Sequence, residues 1–200
     1  MRVFSYKIAR DYGFAPNPFH GVCTLATCKP RIRSSAQLGD IVVGCGCKKN
    51  GLLGRIICVL RVTGKCSFQD YWDNPRFTIK RPFFKGNQSR AYGDNIYHHD
   101  ERGGWLQERS HHSFPDGSLN ADNLARDTGC EHVLWSDDFT YFGRAAIAIP
   151  SHLRDFEGDD LYPNVRDARS RYSSAFVAAV NEWFETLPER GCRGRPGAWS

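Results

Sequence analysis

The sequence predicts one α+β domain: a small, twisted or barrel-like sheet with short flanking helices and a C-terminal amphipathic helix. Three observations carry that expectation. Ile41-Val42-Val43 and then Leu52 to Val62 (LLGRIICVLRV) are β-branched runs joined by a Gly- and Lys-rich turn, the pattern of a hairpin or meander. His132 to Trp135 (HVLW) and Ala145 to Ile149 (AAIAI) read as further strands. Ala168, Tyr172, Ala175, Phe176, Ala179, Trp183, Phe184 and Leu187 then recur at three- and four-residue steps, one apolar stripe of a helix. Two hundred residues suffice for a single domain with a real core. The organisation read from these signals is a domain over 1–150, an acidic linker over 151–165, a helix packed on the domain over 166–190, and a frayed tail.

The first strand begins at Val3 and gives way to a loop punctuated by Gly13, Pro16, Pro18 and Gly21, each of which narrows or widens the allowed backbone angles. Val22 to Ala26 is a short apolar run. Phe68 to Trp72 predicts a helical turn with Ser67 as its N-cap, stopped by Asp73-Asn74-Pro75. Pro82 keeps the KRPFF segment extended. Residues 85–123 are rich in Gly, Asn, Ser, Asp and His and read as loop, with short strands at 95–97 and 104–107. Loops of this length inside a compact domain are commonly functional.

Charge is unevenly placed. Residues 1–100 hold 16 Lys and Arg against 6 Asp and Glu, and residues 101–200 hold 11 against 16, for a net charge of +5. The basic first half favours an anionic partner such as a nucleotide or nucleic acid, although scattered solvated lysines and arginines give the same count. No apolar run approaches the roughly 18 residues of a membrane helix. The basic start is followed by a polar loop, not by an apolar signal segment, which reads as a cytoplasmic protein. Eight cysteines form no CxxC pair and read as free thiols, Cys58 among them as core.

Four groups of residues could carry chemistry. The opening loop offers Arg10, Asp11, Asn17 and His20, with Lys29 downstream. Arg10 and Lys29 suit phosphate, and Asp11 or Asn17 could read a base edge. Gly93 to Asp100 supplies Asp94, Asn95 and Tyr97, a set that fits edge reading and ring stacking of a nucleobase; the plainer alternative is a turn between strands. Ser110-His111-His112-Ser113 offers an acid–base group near neutral pH. Adjacent imidazoles on a strand point to opposite faces, so one of the two is expected at a given pocket. No HxH, HxxxH or HExxH spacing occurs, and neither a metal nor a cofactor is expected. Of the aromatic residues, most are core; Trp72 and Trp105 lie in polar settings and are the expected stacking rings. A Walker loop, a GxGxxG turn and a GxSxG elbow are all absent.

Taken in order, ARDYGFAPNPFHGVCTLATCKPRIR, GDIVVG, FQDYWDNPRFTIKRP, YGDNIYHHD, SHHSFPDG and VLWSDDFTYFG resemble the second of the numbered nucleotide modification associated domain families, over roughly residues 3–150. The resemblance implies an association with phage and bacterial systems that make, read or contest modified nucleobases. GDIVVG followed by a strand and an aromatic block also looks like the PUA-like group of small β-barrels, which includes the EVE, ASCH and YTH domains. That resemblance implies an aromatic pocket for a modified base, by analogy of fold.

The expectation is therefore a reader of a nucleotide or modified base, in a pocket between the opening loop and residues 94–112. The alternatives are an enzyme of base modification or hydrolysis, with His111 or His112 oriented by Asp11 or Asp94, and a protein-interaction module of a defence operon.

Overall fold

The computed structural model describes residues 1–165 and 167–199. Arg166, at the predicted start of the C-terminal helix, and Ser200, the last tail residue, lie outside the described residues. The fold is mixed α+β, with one large sheet, one small sheet and a separate two-stranded ribbon.

The large sheet contains β1 (Val3–Lys7), β3 (Ile41–Cys45), β4 (Arg55–Arg61), β9 (Asp138–Tyr141), β10 (Ile147–Ala148), β11 (Ala168–Arg169) and β12 (Gly191–Cys192). Its order is β11-β1-β3-β4-β9-β12, with β10 also on β4. The pairs β1–β3 and β9–β12 are parallel; the others are antiparallel. The small sheet is β2 (Cys23–Leu25), β8 (His132–Ser136) and β5 (Gly64–Ser67), with β8 central. The ribbon pairs β6 (Tyr97–His99) with β7 (Trp105–Gln107). Short helices are α1 (Pro30–Ser35), α2 (Phe68–Asp73), α3 (Gln88–Ala91) and α4 (Ala121–Thr128); the longest helix is α5 (Ser174–Thr186).

Period-two alternation sorts the large sheet into two faces. Val3, Ile41, Val43 and Val59 face α5, where Phe176, Val180 and Phe184 cover them. Phe4, Tyr6, Val42 and Leu60 face the small sheet and meet Leu25 and Leu134. A register shift between Gly44 and Cys45 breaks the alternation, so Ile57 and Cys58 both join the second cluster. A third cluster lies beyond the small sheet, where Phe14, Phe68, Tyr71, Phe77, Ile96 and Tyr97 pack.

The sheets do not close into a barrel among the described residues: β11 and β12 form the two edges of the large sheet. Two corners join the large and small sheets. The β4–β5 and β8–β9 segments each pass from one sheet to the other. At the first corner Gly64 lies against the Trp135 ring, and a Cβ there would sit 1.9 Å from it. At the second, the Ser136 hydroxyl accepts from the Asp138 amide at 3.0 Å and donates to its carbonyl at 2.8 Å. That turn leads into β9, a strand between the two segments, 132–135 and 145–149, that the sequence predicts as strands.

Several other elements differ from the sequence reading. Of residues 145–149 only Ile147 and Ala148 pair as strand, after a 3-10 turn at Gly143–Ala145. Ala168 lies in β11 and not in the helix. The helix begins at Ser174, where the Ser173 hydroxyl accepts the Phe176 amide at 3.2 Å. The tail is not frayed. Cys192 pairs with Tyr141, and the Trp199 indole donates to the Tyr12 carbonyl at 2.9 Å. The predicted turn at Phe68 is α2, capped by Ser67, which accepts from the Asp70 amide at 3.0 Å.

Phe176 is fully buried between α5 and the large sheet, so truncation opens a cavity. Phe176→Ala is expected to lower unfolding free energy by about 3–5 kcal/mol with an unchanged urea m-value. A loss under 1 kcal/mol in urea titration would mean that α5 does not share the core.

Candidate functional site

The loop after β1 is held by buried polar groups, and these groups include several residues expected to touch a ligand. Asp11 accepts from the Tyr141 hydroxyl and from the Gly197 amide at 3.0 Å. Burial pushes its carboxyl up, against those hydrogen bonds. Asn17 donates to the Tyr92 carbonyl at 2.9 Å and accepts from Lys80 Nζ at 2.7 Å. Lys80 is fully buried and also donates to the carbonyls of Asn17, Phe19 and Val22. Burial lowers its pKa to about 8. Asp94 accepts from Thr24 at 2.7 Å and from Tyr71 at 2.8 Å, and Asn95 donates to the carbonyls of Tyr71 and Phe77. Asp11, Asn17, Asp94 and Asn95 are thus committed inside the protein, where their hydrogen bonds fix the loops.

The two expected stacking rings are also engaged. Trp72 stacks on His98 at 3.8 Å, with the Arg81 guanidinium 3.6 Å from the ring centre. Trp105 lies 4.0 Å from His99 and edge-on to Phe68. His20 is exposed, with a left-handed backbone at φ 61°. Burial, then the charges of Lys80 and Arg90, hold its pKa below the usual value.

The opening loop and the His111–His112 segment do meet, and between them lies a cavity of about 360 Å3. Arg10, Tyr12 and Phe14 line it from the first segment, His111 and His112 from the second. Cys28 and Asn123 complete the wall. Both imidazoles reach the cavity because residues 111–112 form a turn, to which strand alternation does not apply. A file of rings runs away from it: His111 to Tyr12 at 4.4 Å, Tyr12 to Tyr92 at 5.4 Å, Tyr92 to Trp199 at 6.0 Å and Trp199 to Phe19 at 5.2 Å. The Arg10 side chain has no ion pair among the described residues. A second, broader cavity of about 650 Å3 shares Cys28 and carries Lys29, Arg31 and Arg126 against Asp167. Lys29 sits there, 3.9 Å from Asp167 and over the Tyr6 ring.

The adjacent histidines are driven to opposite protonation states. Desolvation, aided by the charges of His112 and Arg10, lowers the pKa of His111 to about 4. Burial also disfavours the His112 cation, but hydrogen bonds to Asp127 and Cys28 outweigh it and raise its pKa to about 9. His112 Nδ1 is 2.6 Å from Asp127 Oδ2, and Nε2 is 3.8 Å from Cys28 Sγ. The other Asp127 oxygen accepts the Cys28 amide at 2.9 Å. Tyr97, another expected ligand residue, is buried and donates its hydroxyl to Asp127 Oδ2 at 3.0 Å. Burial would raise the Asp127 carboxyl, yet His112 and Arg126 hold it below the usual range.

Cys28 and Lys29 both have left-handed backbones, at φ 57° and 41°. Each such non-glycine residue costs roughly 1 kcal/mol or more and persists only where its surroundings enforce it. Asp127 holds the Cys28 amide, and Arg33 Nε donates to the Cys28 carbonyl at 2.8 Å. Arg33 is fully buried; its remaining nitrogens donate to the carbonyls of Cys130 at 3.0 Å, His132 at 2.7 Å and Asp127.

Sequence reasoning missed Cys28, Asp127, Tyr12, Asn123 and Arg33 as parts of this region. One signal was available: Cys28 precedes Lys29-Pro30, a helix start with Pro in the first turn. Among the described residues no group of three or more His, Cys, Asp and Glu side chains converges to hold a metal. No described helix is long and apolar enough to cross a membrane.

Fold and cavity together define a mixed α+β domain with an aromatic, arginine-rimmed recess beside a Cys–His–Asp cluster. The chain belongs to the family described as nucleotide modification associated domain 2, whose sequence model matches residues 1–200. No curated protein and no solved structure matches the chain.

Two outcomes follow from the buried charges. The His112 pKa is near 9 folded and near 6.5 unfolded, so the folded state holds the extra proton. Its stabilisation is complete below pH 6.5 and is lost as pH rises through 9. The stability gap between wild type and His112→Gln is therefore expected to narrow across that window in urea titrations; a constant gap would refute the pairing. Arg33→Met leaves four carbonyls without their donor and is expected to cost at least about 3 kcal/mol. A near-neutral unfolding midpoint would show that water replaces the guanidinium.

Proposed function

We propose that the cavity between the opening loop and the His111–His112 turn binds a nucleotide or a modified nucleobase. The observation that carries this reading is the lining: Tyr12, Phe14 and neutral His111 offer ring faces and edges, with the Arg10 guanidinium at the rim. Its volume of about 360 Å3 falls near the lower end of the roughly 300–1,000 Å3 of small-molecule sites, which suits one base with its sugar. Membership of a family associated with nucleotide modification supports the same ligand class. Arg10 meets phosphate and Lys29, at the neighbouring basic cavity, extends that contact. Reading a modified base for DNA modification or phage defence is the setting this ligand fits. The PUA-like reading stays an analogy: an aromatic pocket is common to both, while the open sheets differ from a barrel.

The test is titration calorimetry with a panel of mononucleotides and modified nucleosides, guided by mass spectrometry of co-purifying small molecules. A stacking ring contributes about 1–3 kcal/mol per base, so Tyr12→Ala is expected to weaken binding roughly 5- to 150-fold. Arg10→Gln should weaken nucleotides more than the matching nucleosides. Trp72→Ala and Trp105→Ala, whose rings lie outside the cavity, should bind as wild type. Unchanged affinity in Tyr12→Ala, or loss confined to Trp105→Ala, would sink the reading.

A further inference from the structure

We propose that this cavity is also a reaction centre, in which Cys28 is the nucleophile and His112 the proton-transfer group, oriented by Asp127, acting on an amide or ester acyl carbon of the bound ligand. The ligand class rests on the binding reading above; the thiol centre does not.

The argument is geometric. A nucleophile, an acid–base group and an orienting carboxylate within hydrogen-bond reach are what covalent catalysis by a thiol needs. Cys28 Sγ lies 3.8 Å from His112 Nε2, and Asp127 lies 2.6 Å from the far side of the same ring. Such contacts are commonly loose before substrate arrives. Asp127 also holds the Cys28 backbone at 2.9 Å, so one carboxylate sets both partners. It is itself buried and further fixed by Tyr97 and Arg126. Cys28 is the cysteine that lines the cavity, and its strained backbone presents the thiol there. Cys130 provides the contrast. It is equally near His132, at 3.8 Å, yet no carboxylate orients that imidazole among the described residues, and Cys130 lines neither cavity.

The chemistry balances with water as the co-reactant. The thiolate attacks the acyl carbon and a C–S bond forms. The C–N or C–O bond breaks, and the leaving group departs with its electron pair and the Nε2 proton of His112. Water then attacks the thioester and gives a proton back to His112. The C–S bond breaks, the electron pair returns to sulfur, and the acid is released. Nothing is oxidised or reduced.

Iodoacetamide labelling, mapped by peptide mass spectrometry between pH 5 and 9, tests the thiol without any ligand. Cys28 is expected to label on the order of 10- to 100-fold faster than exposed Cys192 at pH 6–7. Asp127→Asn and His112→Gln, each checked for folding by circular dichroism, should remove that advantage across the pH range. p-Nitrophenyl acetate should leave an acetyl group on Cys28, and N4-acetylcytidine 5′-monophosphate should be deacetylated by wild type and not by Cys28→Ser. Labelling of Cys28 no faster than Cys192, in a protein that binds nucleotides, overturns the reaction centre and leaves the binding site standing. Fast, His112-dependent labelling with no nucleotide bound supports the thiol centre and overturns the ligand class. Rapid labelling that His112→Gln does not slow also overturns the proposal.

Discussion

The Arg33 guanidinium is the contact on which the site depends. It lies fully buried in α1 and donates to four backbone carbonyls, those of Cys28, Asp127, Cys130 and His132. Those carbonyls belong to the turn before α1, the end of α4 and the start of β8. A planar fork of donors can satisfy acceptors from several directions at once, which an ammonium does with less geometric control. Desolvation disfavours the cation, and the nearby Cys130 and Asp127 oppose that effect. The Phe68 ring covers it at 5.3 Å. With the three segments pinned, Asp127 has little choice of position, and His112 and Cys28 are placed by Asp127.

Lys80 plays the corresponding part for the opening loop. Its ammonium gathers the carbonyls of Asn17, Phe19 and Val22 and the Asn17 side chain. Two of the basic residues of the first half are therefore internal ties. Arg61 is another cation with a structural partner, bonded to Asp138 at 3.1 Å beneath α5. This weakens the inference from net charge to an anionic partner: the count of cations was correct, but it did not separate structural ones from free ones. Arg10, at the cavity rim and without an ion pair among the described residues, is a better argument for an anion than the excess of basic residues was.

What the sequence made legible was what repeats. The alternation of Val3, Ile41 and Val43 against Phe4 and Val42 is local, and so is the stripe of Phe176, Val180 and Phe184. The corners were not legible, because the passage of a strand between sheets at Gly64 depends on where Trp135 lies. Helix α4 is short and polar and straddles the end of the segment read as loop, so neither it nor Asp127 was read from the sequence. Polar residues in a Gly- and Pro-rich loop looked available for a ligand. Asp11, Asn17, Asp94 and Asn95 are polar there because a loop buried against a core must satisfy its own hydrogen bonds. Trp72 and Trp105 lie outside the cavity, and the polar neighbours that singled them out, His98, His99 and Arg81, are groups that their rings contact.

The C-terminal tail completes the cavity from outside it. Gly197 bonds Asp11, the Trp199 indole bonds the Tyr12 carbonyl, and the Trp199 ring lies between Phe19 and Tyr92. Tyr12 is thereby held by backbone contact to the tail and by ring contact with Tyr92 and His111. The ring that faces the cavity is positioned by residues nearly the whole chain away, because β12 carries the tail back along β9 to the opening loop. A recess built in this way has a rigid aromatic wall on one side and the Arg33-pinned cluster on the other. Moving either wall would break the hydrogen bonds that tie Asp11 and Tyr12 to the tail or Arg33 to its carbonyls, so the recess is preformed, and a ligand of the proposed class would be spared most of the ordering cost that weakens binding to mobile loops.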